Sequence, residues 1–94
     1  MNGLSQAQRK LIRKLAARHG VKSVRVFGSM ARGTAGVGSD VDLLVRFAQQ
    51  PSLLQVIGFR QDVSEALDME VDVVEEEGVS PHIRDRILGE AIRL

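Results

Sequence analysis

The stretch "FGSMARGTAGVGSDVDLLV", residues 27–45, sets a Gly-Ser pair, then ten residues, then two aspartates one position apart. From Asp40 to Phe47 the residues are strongly apolar and rich in β-branched side chains, the pattern of a central strand. Side chains alternate along a strand, so Asp40 and Asp42 face the same way, ~7 Å apart. Two carboxylates placed there repel each other unless something positive lies between them. Hard divalent cations suit such donors, and Mg²⁺ characteristically takes one or two carboxylates together with substrate phosphates. A third acid, Asp72 in "MEVDVV", lies on the face opposite Val71 and Val73. If its strand pairs with the strand of Asp40 and Asp42, the three acids form a triad suited to two metal ions ~3.5–4 Å apart.

The turn before the strand then has a use. Gly28 lets the backbone approach a phosphate closely, and Ser29 offers both a hydroxyl and an N–H. A short helix starting there points its positive end at the anion, and Arg32, one turn on, adds a charge-assisted contact. The stretch reads as half of a triphosphate cradle set against a metal-binding strand. Rival motifs fail: "GTAGVGSD" lacks the Lys-Ser/Thr of a P-loop, and it precedes a strand where a dinucleotide fingerprint opens a helix.

Working outward, Ser5 and Gln8 form a capping-box pattern, and Leu4, Ala7, Leu11, Ile12, Leu15 and Ala16 recur at helical spacing up to Gly20. This predicts a helix over 6–19, followed by a short strand at Val24–Phe27, a helical turn at 29–33 and a glycine-rich loop at 34–39. After the Asp40–Phe47 strand, Pro51 and Ser52 open a helix whose Leu53, Val56, Phe59, Val63 and Leu67 share one stripe. A strand over Glu70–Val74 follows. Ser80 and Pro81 then supply the cap and first position of a last helix, with Ile83, Ile87, Leu88, Ala91 and Ile92 as its buried face. The order α-β-(turn)-β-α-β-α predicts an α/β domain, a small mixed sheet covered by helices mainly on one face, with the other face left for chemistry.

The chain of 94 residues is read as one domain, 1–94, with 44% hydrophobic and 27% charged residues, as in ordinary globular proteins. It has no cysteine, which excludes disulfides, zinc–thiolate sites and thiol nucleophiles. No apolar run reaches the ~20 residues of a membrane span. The net charge of +1 hides an asymmetry: residues 1–39 hold eight Lys or Arg and no acid, and residues 40–94 hold five basic residues and all twelve acids. Such a split suits a site where two halves close around something charged, and Mg²⁺–nucleotide is a natural candidate. The acid-free N-terminus is serine-poor and runs straight into the motif, so it is read as structure rather than transit peptide, and the cytoplasm is the expected compartment.

"GSMARG" followed by "SDVDLLV" resembles the GS-x10-DxD signature of the DNA polymerase β-like nucleotidyltransferases. With the closing "VDVV" strand and "SPHIRDRILGEAIRL" helix, the chain is similar to the minimal (MNT) group over nearly its whole length. The resemblance implies that Gly28 and Ser29 hold phosphates and that Asp40 and Asp42 bind two Mg²⁺. Asp72 would bind metal or act as base on the acceptor hydroxyl. It also implies an antitoxin that transfers AMP from ATP to a tyrosine of a HEPN-domain ribonuclease toxin.

Two other readings compete with it. The chain could neutralise its partner by occlusion, with a silent nucleotide site, or could modify a small molecule once another chain completes it. Direct nucleic-acid binding has little support, because there are three Phe and no Tyr or Trp on which bases could stack. The basic residues Arg9, Lys10, Arg13, Lys14 and Arg18 are read as a solvated helix face and Glu75–Glu77 as a solvated strand exit. Neither His19 nor His82 has the neighbours of a metal ligand or catalytic group.

Overall fold

The computed structural model describes residues 3–33 and 40–94, so the glycine-rich loop expected at 34–39 lies outside the described residues. The elements run α1 (Gln6–Arg18), β1 (Val21–Phe27), α2 (Ser29–Arg32), β2 (Val41–Phe47), α3 (Leu53–Leu67) and β3 (Val71–Glu75), then a 3-10 turn (Glu76–Gly78), α4 (Pro81–Glu90) and β4 (Ile92–Arg93). Each long helix starts where its polar cap dictates. The Ser5 side chain accepts from the Gln8 N–H while Gln8 Oε1 accepts from the Ser5 N–H, closing the capping box. Ser52 caps α3 with its side chain, which accepts from the Gln55 N–H. α1 stops because Gly20 turns into the left-handed region (φ 74°), and α3 stops with Asp68 in that region (φ 54°).

The four strands form one sheet in the order β3-β2-β1-β4. β1 runs antiparallel to both β2 and β4, whereas β2 and β3 are parallel and joined by the α3 crossover. Along β2, Val41, Leu43 and Val45 point into the main core with Ile12 and Leu15 of α1 and Phe59, Val63 and Leu67 of α3. Helices α1 and α3 thus cover one face, as the sequence pattern predicts. Asp42, Leu44 and Arg46 alternate onto the other face. Leu44 is also fully buried, outside that cluster, so β2 is a central strand sealed on both sides along its middle.

Five expectations are corrected. β1 begins at Val21 rather than Val24, because pairing with β2 carries it back to Val21↔Phe47 across an irregularity near Lys22. The last helix ends at Glu90: Ala91 turns extended (φ −70°, ψ 142°), and Ile92 and Arg93 pair with Val26 and Arg25 as a fourth strand absent from the predicted order. The buried face expected on that helix does not exist, since none of its residues is buried and Ile83 is 53% exposed. Likewise Leu53, placed in the α3 stripe, is 74% exposed, because α3 meets the core only from its second turn onward. The Glu75–Glu77 stretch is not wholly solvated either: Glu76 accepts from Arg25 Nη1 at 3.3 Å with its side chain only 16% exposed.

Candidate active site

The acids meet at one end of the sheet because the strand register makes them meet. Asp42 is aligned with Phe27 of β1 on one side and with Asp72 of β3 on the other. Adjacent strands lie ~4.8 Å apart and residues in register project to the same face, so Asp42 and Asp72 stand side by side. Asp40 precedes β2 on the same end, exposed, as is Asp72, whereas Asp42 is half-buried. Burial lifts the Asp42 carboxyl above its ordinary value of 3.8, and the negative charges of Asp72, Asp40 and Glu90 add to that effect against the pull of Arg32. Hence Asp42 is the focus of the cluster: four charged groups act on one carboxylate.

The glycine turn follows Phe27 directly, which sets Gly28 beside Asp42. Gly28 has φ 71° and ψ −150°, a backbone state essentially confined to glycine, and a Cβ built there would collide with the Asp42 carboxylate. The sequence reading assigned this glycine to phosphate approach; the fold requires it for an additional reason, the neighbouring acid. α2 is one turn long, and its Ala31 and Arg32 N–H groups both donate to the Gly28 carbonyl at 3.1 Å. With four residues it has little macrodipole, so any anion is held by individual N–H groups and side chains rather than by a helix end. Ser29 opens this turn, half-buried, next to Gly28.

Glu90 is the residue that sequence reading missed. Its Oε1 accepts from the Gly28 N–H at 3.1 Å and from Arg32 Nη1 at 3.3 Å, and its Oε2 accepts from the same Nη1 at 3.1 Å. No motif signals it, since 62 positions separate it from Gly28 and only the return of α4 to the sheet brings it there. His19, by contrast, sits at the other end of β1, hydrogen-bonded through Nε2 to Asp62 at 2.6 Å and edge-on to Phe59, away from the acids.

The donor set is all oxygen, which fits Mg²⁺ rather than a softer metal. Among the described residues no three His, Cys, Asp or Glu converge closely enough to hold an ion by themselves. That arrangement fits a metal brought in with phosphates, for which one or two protein carboxylates suffice. The clustered negative charge of Asp40, Asp42 and Asp72 suits such a cation.

The sequence pattern of the nucleotidyltransferase domain family matches residues 8–94, and the chain belongs to that family. It is 38% identical over 80 residues to protein adenylyltransferase MntA of Thermococcus cleftensis, covering 85% of this chain and 81% of that one. A solved structure assigned to the minimal nucleotidyltransferases superposes with a TM-score of 0.86 at 44% identity, over 95% of this chain and 91% of the other. A chain from the complex of a tri-AMPylated HEPN toxin with an MNT antitoxin of Shewanella oneidensis gives a TM-score of 0.76 at 21% identity, over 96% and 71%, a likeness of fold. The protein is thus a nucleotidyltransferase, an enzyme of the minimal type, as the GS-x10-DxD stretch implies. No helix of the described residues is long and apolar enough to cross a membrane.

Proposed function

We propose that this chain, as a single domain, is a Mg²⁺-dependent protein adenylyltransferase that acts as an antitoxin. In this reading it moves AMP from ATP onto a tyrosine hydroxyl of a HEPN-type ribonuclease toxin in the cytoplasm. The observation that carries the reading is the meeting of Gly28, Arg32 and the register pair Asp42–Asp72 at one sheet end. The protein adenylyltransferase among its relatives and the AMPylated toxin in the fold neighbour support the choice of nucleotide and partner.

The roles follow from position. The Gly28 N–H, Ser29 and the Arg32 guanidinium hold the triphosphate and fix its orientation. Asp40, Asp42 and Asp72 would hold Mg²⁺, which when bound would supply charge neutralisation for the phosphates. The acceptor oxygen attacks the α-phosphorus, the bond from that phosphorus to the bridging oxygen breaks, and pyrophosphate leaves. Asp72, the more exposed member of the register pair, would bind the metal or take the hydroxyl proton of a macromolecular acceptor. Catalysis rests on positioning and charge stabilisation, as in phosphoryl transfer generally.

The test is intact-mass spectrometry of the toxin co-expressed with wild type and with an Asp40→Asn, Asp42→Asn double variant. AMP-sized increments with wild type alone are the expected result. An unmodified toxin bound equally by both forms would replace this reading with neutralisation by occlusion.

A further inference from the structure

Glu90 stands on donors that a triphosphate needs. One of its oxygens takes the Gly28 N–H, and both of its oxygens take Arg32 Nη1, at 3.1–3.3 Å. A carboxylate held by a main-chain N–H and a guanidinium uses the same charge-assisted contacts that phosphate oxygens use. The Gly28 N–H has one hydrogen to give, so a phosphate oxygen can accept it only after Glu90 has left. Electrostatics point the same way. Glu90 adds a negative charge to a site that already carries Asp40, Asp42 and Asp72, with Arg32 as the cation opposing them at Asp42.

The segment that carries Glu90 is lightly attached. Helix α4 has no buried residue, Ile83 and Ile92 are exposed, and Glu90 itself is a third exposed. Beyond it the chain is fastened again, by two paired residues of β4 at the sheet edge and by Leu94, which packs against the core and donates its N–H to the Val24 carbonyl, so the looseness is that of α4 itself. An element with so little buried surface opens at low free energy, whereas the strands that carry Asp42 and Asp72 are anchored in the core.

We propose that Glu90 is a built-in competitor for the nucleotide, closing the phosphate cradle in the free chain and withdrawing with the end of α4 when a triphosphate binds. The proposal rests on the nucleotide reading of the site. Its consequence is quantitative: if the closed form makes up roughly 90% of the free chain, apparent nucleotide affinity is about tenfold below the intrinsic value. By linkage, any partner that holds the end of α4 away from Gly28 raises nucleotide affinity by the same factor that nucleotide raises affinity for the partner.

The experiment uses the full chain with Mg²⁺ and AMP-PNP, comparing wild type, Glu90→Gln and Glu90→Ala by calorimetry. Amide exchange over residues 86–93 of wild type is measured with and without AMP-PNP. The expected result is tighter binding in both variants, about tenfold for Glu90→Ala, together with faster exchange at the end of α4 when wild type is saturated. Equal or weaker binding in the variants, or slower exchange with nucleotide, would overturn the proposal and make Glu90 a residue that braces Arg32. In that case wild type still binds AMP-PNP and the nucleotide reading stands. If neither wild type nor the variants bind, both readings fall.

Discussion

At Asp42, burial and the neighbouring acids disfavour the charged carboxylate. It is half-buried, paired in register with one acid and followed closely by the influence of two more, and burial is the largest cause of its raised carboxyl pKa. The folded chain therefore keeps the Asp42 proton to a higher pH than the unfolded chain, whose carboxyl titrates near 3.8. As pH rises from 3.8 through the raised value, the folded state must give up a proton it holds more tightly, and stability falls. Asp42→Asn removes that penalty. In metal-free, nucleotide-free protein it should melt above wild type at neutral pH, with the gain shrinking to nothing below the ordinary carboxylate range. Melting scans between roughly pH 3 and pH 8 check this, and a variant that melts below wild type at neutral pH would remove the repulsion argument.

At the scale of elements, the glycine turn and strand β2 are one unit. Gly28 is excluded from other residue types twice over, by a φ of 71° and by the Asp42 carboxylate in the place of a Cβ. Gly28→Ala should destabilise by about 2 kcal/mol or more, combining the left-handed backbone penalty with the collision. Adding Asp42→Ala should recover the collision share and leave the backbone share, so urea denaturation of the single and double variants should show a coupling of roughly 0.5–3 kcal/mol. Strict additivity would mean that Asp42 is not the obstacle. Helix α4 shows the opposite condition. Pro81 takes its first position as expected, but the expected Ser80 cap makes no side-chain capping bond, no apolar side chain of the helix is buried, and a single carboxylate of its last turn reaches Gly28 and Arg32.

Across the whole molecule, groups of the basic first part pair directly with acids of the remainder. Arg25 pairs with Glu76, Arg32 with Glu90 and His19 with Asp62, each joining a cation or imidazole before residue 40 to an acid beyond it. Such pairs at partly exposed positions contribute at most ~1 kcal/mol each. The uncompensated charge remains at Asp40, Asp42 and Asp72, where Mg²⁺ with nucleotide should act as a stabilising ligand. At a concentration near 100 times the dissociation constant, binding contributes about 2.7 kcal/mol, which for a chain this small raises the melting temperature by roughly 10 °C or more. Chelating the metal with EDTA, or the Asp40→Asn, Asp42→Asn change, should abolish most of that shift in a thermal-denaturation assay; a shift that survives both would detach nucleotide binding from the acids. What the sequence by itself determined is the local and periodic part. Ser5 and Gln8 start α1, the alternation through Val41–Val45 makes β2 central, and Gly28 marks the turn after β1, because caps, turns and strand alternation act within a few residues. Only the tertiary structure decided that Asp72 stands beside Asp42, that β4 exists, that α4 buries no face and that Glu90 lies on Gly28 and Arg32. Strand register and the return path of the last helix are set by contacts between residues tens of positions apart, and such contacts leave no periodic mark in either segment.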